Sequence, residues 1–86
     1  MRDIQVLYFA MLKDAIGQAK ETVTIPESVK TVADLMDFLT QRGEPYVSAL
    51  ANRKRVRAAV NQVMASPETA LENAQEVALF PPVTGG

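Results

Sequence analysis

The residues with the clearest chemical potential are the last seven of the sequence, Phe80-Pro-Pro-Val-Thr-Gly-Gly86. A backbone carboxylate on Gly86 has a pKa of roughly 3.5, so at neutral pH it is a weak nucleophile and a very poor electrophile. Covalent chemistry there requires activation, most simply as an acyl-adenylate. That step belongs to another enzyme, because the chain has no glycine-rich phosphate loop and its only adjacent glycines are Gly85 and Gly86. Lacking Cβ atoms, the two glycines pass through a slot too narrow for other residues. Pro81 and Pro82 restrict φ and favour an extended approach, which lowers the entropy lost on insertion. The six residues after Phe80 span roughly 20 Å when extended. Gly-Gly alone is equally what a frayed end or a truncation scar would leave. The apolar strand and the Pro-Pro pair before it shift the reading towards a directed tail, residues 81–86, on a domain of residues 1–80.

Composition narrows the chemistry further. With no cysteine, the 86-residue chain has no disulfide, no zinc–thiolate site and no cysteine nucleophile. With no histidine, it lacks the side chain best suited to proton transfer near neutral pH and the commonest metal ligand. No metal site is expected, and a self-contained hydrolase is disfavoured. A formal net charge of -1 gives no overall basic field for nucleic acid or an anionic membrane. The opening MRDIQVLYFAML lacks the long apolar core and cleavage site of a signal peptide, and no stretch approaches membrane-spanning length. A single cytoplasmic domain is the expectation.

Positioning such a tail falls to the strand that precedes it. Glu76–Phe80 is almost wholly apolar after Glu76, and Pro81 ends it because proline cannot donate to a ladder. Asp3–Phe9 is a second near-continuous apolar strand, suited to a position covered on much of both faces. Ala10–Gly17 reads as a short helical turn stopped at Gly17. Lys20–Ile25 alternates, with Val23 and Ile25 on one face and Thr22 and Thr24 on the other, and should pair with the first strand as a long-looped hairpin. Thr31 and Asp34 resemble a capping box opening a helix whose apolar stripe is Val32, Leu35, Met36 and Leu39, with Gly43 as its stop. Glu44–Asn52 adds a helical turn. Val56–Val60 and Val63–Met64 are short strands around Asn61-Gln62, and Ser66–Leu71 is a loop. The first and last strands should lie side by side at the sheet centre with one helix across a face, an α+β roll.

Three stretches carry a resemblance: Val6-Leu-Tyr-Phe-Ala10, Ala58-Ala-Val-Asn-Gln62 and Glu76-Val-Ala-Leu-Phe-Pro-Pro-Val-Thr-Gly-Gly86. In order and spacing they are similar to the ubiquitin-like β-grasp sulfur carriers, and most specifically to the small-subunit (MoaD-type) family of molybdopterin synthase. The turn Glu72-Asn-Ala-Gln75 departs from the Asp-Gly-Asp often found in that family. The resemblance implies a mixed β-grasp sheet with one main helix. It also implies a carrier that is itself non-catalytic and binds no cofactor. An adenylating enzyme of the ubiquitin-activating type (MoeB-type) would use ATP to convert the Gly86 carboxylate to an acyl-adenylate, and a sulfur donor would leave a Gly86 thiocarboxylate. The tail (Pro81, Pro82, Val83, Thr84 and Gly85) would insert into the large synthase subunit (MoaE-type). Sulfur would pass to cyclic pyranopterin monophosphate to build the molybdopterin dithiolene, in a heterotetramer with the large subunits at its centre. Related carriers serve thiamine thiazole synthesis or tRNA thiolation, and a protein modifier would use the same activated end.

Phe9 and Phe80, at the ends of the two central strands, are the candidate partner-interface residues. Core packing competes for Phe9, while Phe80 is expected half-exposed beside the tail. Arg53-Lys54-Arg55 with Arg57 reads first as a solvated loop, and second as a docking charge for an acidic partner patch. Asn61-Gln62 is expected to be a simple turn.

Overall fold

The computed structural model describes residues 1–82. Val83, Thr84, Gly85 and Gly86, to which the sequence assigns the chemistry, lie outside the described residues. The elements in chain order are β1 (Arg2–Tyr8), α1 (Ala10–Ile16), β2 (Lys20–Ile25), α2 (Val32–Thr40), α3 (Tyr46–Ala49), a 3-10 turn (Arg53–Arg55), β3 (Arg57–Val60), β4 (Val63–Ala65) and β5 (Glu76–Phe80). They build a five-stranded sheet in the order β2-β1-β5-β3-β4. β5 sits in the middle, parallel to β1 and antiparallel to β3. The two hairpins, β1–β2 and β3–β4, flank it.

Alternation sets the faces. Ile4, Val6 and Tyr8 of β1, Val23 and Ile25 of β2, Ala58 of β3, and Val77 and Leu79 of β5 are all buried in one core. From the other side α2 contributes Val32, Leu35, Met36 and Leu39, each buried as the helical spacing predicts. Burying side chains of this size contributes roughly 2 kcal/mol each. Leu12 and Ile16 of α1, with Leu50 and Leu71, close the ends of the same core. α1 is thus a core-packing helix of seven residues, more than the turn expected from Ala10–Gly17.

The helix boundaries follow from local chemistry. At the start of α2 the Thr31 hydroxyl accepts from the Asp34 N–H at 3.1 Å, and the Asp34 carboxylate accepts from the Thr31 and Lys30 N–H groups at 3.2 and 3.0 Å. The Val32 and Ala33 N–H groups donate to the Thr69 and Pro67 carbonyls. The donors left over at a helix start are therefore all satisfied. α1 stops at Gly17, whose φ of 91° is the left-handed cap that glycine adopts without strain, its N–H donating to the Lys13 carbonyl. α2 ends sooner than the sequence predicts: it stops at Thr40, capped by Gln41, and Gly43 with φ of 86° turns the chain afterwards. β1 likewise ends at Tyr8, and Phe9 caps α1. β3 begins at Arg57, since Val56 closes the 3-10 turn.

Candidate functional site

Residues paired across strands share a face, and one face of this sheet carries no helix. The register aligns Leu7 with Ala78, Ala78 with Ala59, and Ala59 with Met64, an apolar row crossing β1, β5, β3 and β4. Small residues at its centre and larger ones at its flanks make it a shallow trough. Ala78 is buried yet stands outside the core cluster, and Met64 is 66% exposed. Such a row is a candidate surface for a partner to cover.

Two candidate residues stand above this row. Phe80 pairs with Arg57, one step further along β5, and is half-buried. Phe9 is 48% exposed, and its N–H donates to the Leu79 carbonyl at 3.1 Å, which sets it beside the end of β5. The structure therefore brings Phe9 and Phe80 to the same corner of the sheet. Pro81 and Pro82, half-buried, leave the sheet from that corner. The trough residues Leu7, Ala59, Met64 and Ala78 were not singled out by sequence reasoning. Their signal was present: apolar residues at consecutive positions in β1 and β5 leave one apolar set that the helices do not cover.

On the opposite, helix-covered side a polar cluster joins β1, β2 and the segment after α2. The Glu21 carboxylate accepts from the Tyr8 and Tyr46 hydroxyls, both at 2.7 Å, and from Arg42 Nη1 at 3.0 Å. Arg42 also donates to the Tyr46 hydroxyl at 3.2 Å, and its guanidinium lies 5.3 Å from the Tyr46 ring centroid. Burial opposes ionisation of Glu21, but the hydrogen bonds from Tyr8, Tyr46 and Arg42 and the charge of Arg42 outweigh it and hold the carboxyl below its usual range. Burial, then the bond to Glu21, raises the Tyr8 and Tyr46 hydroxyls. Every acceptor is engaged and no proton is poised to move. The cluster is a clamp between elements.

Asn61 does more than turn the chain. With Gln62 it forms the β3–β4 hairpin turn, both at positive φ, 50° and 70°. Its side-chain oxygen accepts from the Gln75 and Glu76 N–H groups at 2.8 and 3.1 Å, and its amide donates to the Asn73 carbonyl at 3.1 Å. One residue thereby holds the Glu72–Gln75 connector and sets where β5 enters the sheet. The Arg53–Arg57 run lies on the 3-10 turn and the start of β3, with Arg53 paired to Asp37 at 2.8 Å.

An open groove of about 530 Å³, with Met1, Arg2, Ile25 and Leu71 among its lining residues, lies at the opposite end of β1 from Phe9 and the tail root. Among the described residues no cluster of three or more acidic or metal-binding side chains is placed to hold a metal, and no helix is long and apolar enough to cross a membrane. The described geometry offers an apolar docking face and an exit point for the tail.

Comparison with known proteins agrees with this arrangement. Residues 6–86 match the ThiS family. The chain is 34% identical to the molybdopterin synthase sulfur carrier subunit of Haemophilus influenzae, covering 96% of this chain and 99% of that one. It is 35% identical to the subunit of the same name from Escherichia coli, with the same coverage. Among solved structures, the small archaeal modifier protein 1 of Haloferax volcanii superposes with a TM-score of 0.74 at 25% identity, over 96% of this chain and 100% of that one. The sheet order with α2 across one face is the ubiquitin-like β-grasp arrangement.

Proposed function

The chain belongs to the ThiS family, and we propose that it is the sulfur-carrying small subunit of a cytoplasmic molybdopterin synthase. The observation that carries this reading is the juxtaposition of an apolar trough with Phe9, Phe80 and the exit of the Pro81-Pro82 segment. A partner that covers the trough receives the tail from one corner.

Each residue then has a task. Phe9 and Phe80 anchor the partner beside the tail root. Pro81 and Pro82 start the tail in an extended direction, and Val83, Thr84 and Gly85 thread it. Gly86 carries the reacting carboxylate. An activating enzyme joins that carboxylate to AMP and releases pyrophosphate from ATP. A sulfur nucleophile then expels AMP, leaving a thiocarboxylate. In the large subunit the sulfur passes to cyclic pyranopterin monophosphate and water restores the carboxylate. All acid–base work falls to the partners, consistent with a chain that has neither histidine nor cysteine. Sulfur delivery to a thiazole or tRNA acceptor would use the same steps, the acceptor being set by the partner.

A second reading, attachment of Gly86 to lysines as a protein modifier, is favoured by the likeness to a protein named as a modifier. Intact-mass measurement after incubation with ATP, a sulfur source and the activating enzyme separates the two. Exchange of one oxygen for sulfur, mapped to Gly86, is expected. Higher-mass conjugates without that exchange would favour the modifier. Deleting Gly86 should abolish the exchange and leave the urea midpoint unchanged, and Gly85→Trp should slow it by blocking the narrow passage. Full exchange in the Gly86-deleted chain would refute the assignment.

A further inference from the structure

A groove of about 240 Å³ lies on the helix side of the sheet towards β4, between α2, the 3-10 turn and the loop after β4. Its floor is apolar, with Met36, Val56, Ala65 and Pro67, and its rim carries Arg53, Lys54 and Arg57. No aspartate or glutamate lines it. Arg53 is fixed in place: Nη2 donates to Asp37 at 2.8 Å and Nε to the Leu50 carbonyl at 3.2 Å. Arg57 Nη1 donates to the Lys54 carbonyl at 2.9 Å, tying two parts of the rim together. Neither Lys54 nor Arg57 has a carboxylate partner among the described residues.

These features select an occupant. The volume falls below the about 300 Å³ at which small-molecule sites begin, so the floor suits one aliphatic side chain rather than a whole ligand. A rim with two unanswered cations and no acid calls for negative charge around that side chain. The first-turn N–H groups of α2 are already satisfied, so the charge would be met by side chains and not by the helix end. We infer that this groove is a second docking site, for an acidic protein segment with one aliphatic anchor. Ala58, in its wall, faces the core, whereas Ala59 faces the trough on the other side of the sheet. The two surfaces meet at Arg57, which pairs with Phe80, while a chain engaged through Phe80 and its tail still presents the groove floor with Arg53 and Lys54.

The test uses the full chain and a fluorescein-labelled peptide of alternating glutamate and aspartate with a single central leucine, followed by anisotropy. Saturable binding is expected, weakening as salt is raised. Lys54→Glu should weaken it at least about tenfold, and serine in place of the leucine at least about fivefold. Leu7→Ser, a neutral change at the far end of the trough row on β1, should leave it unchanged. Absence of saturable binding at low salt, equal affinity for the serine peptide, an unaltered Lys54→Glu variant or loss on Leu7→Ser would each overturn the proposal.

Discussion

At the scale of single residues, Glu21 holds three elements with one carboxylate. Glu21→Ala would leave the buried Tyr8 hydroxyl without its acceptor, and a loss of about 2 kcal/mol is expected in urea unfolding. The pH dependence has a definite sign. The folded-state pKa of Glu21 lies below its unfolded value of about 4.3, so the stabilisation is complete above that pH and fades as pH falls through the folded value. Acidification should therefore narrow the stability gap between the native chain and Glu21→Gln. Asp34, held low chiefly by the Lys30 N–H, with desolvation opposing and Thr31 adding, acts with the same sign and leaves Glu21→Gln some acid sensitivity. A gap that stays constant from neutral pH down to pH values well below about 4 would show that Glu21 is not ionised in the fold. Nothing in the sequence disclosed this cluster. Tyr8, Glu21, Arg42 and Tyr46 share no periodicity, and only the β1–β2 register and the turn after α2 bring them together.

At the scale of elements, much was legible because its causes are local. The alternation of Lys20–Ile25, the capping box of Thr31 and Asp34, and the glycine stop after α1 each depend on neighbours within a few residues, and each forms where expected. The exact ends of β1, α2 and β3 were less legible, because pairing partners and packing decide them. Asn61 illustrates the limit most clearly. Its turn is written in the sequence, but its bonds to residues 73, 75 and 76 depend on where the connector returns. Asn61→Ala should cost about 2 kcal/mol, through the lost bonds and the positive φ, whereas Asn61→Gly relieves the backbone and should recover part of that loss. Equal chemical-denaturation midpoints for the two variants would mean that backbone geometry contributes nothing at this turn.

At the scale of the whole molecule, the trough and the tail root form one surface. Phe80→Arg places a charge where an apolar contact is needed, so it should weaken binding to the large synthase subunit by about 2 kcal/mol, roughly thirtyfold, by calorimetry. The unfolding midpoint should hardly move, since Phe80 lies outside the core cluster. Undiminished affinity would remove this corner from the interface. The exit of the tail was legible from Pro81 and Pro82; the apolar row was legible only in part, since β1 and β5 signal a second apolar face but the register decides which residues of β3 and β4 complete it.

The central place of β5 has a consequence for the order of events in the life of the chain. β1–β2 and β3–β4 are each local hairpins, but nothing joins them until the strand between them has been made. Isolated hairpins are at best marginally stable in water, so neither hairpin is expected to hold its structure before β5 docks. Once Glu76–Phe80 docks, core, trough and tail root form together. Any enzyme that reads the trough before touching the tail is thereby checking that the molecule is folded, and a misfolded chain offers it no handle. Under the proposed carrier function, the middle strand makes correct folding the entry condition for sulfur loading.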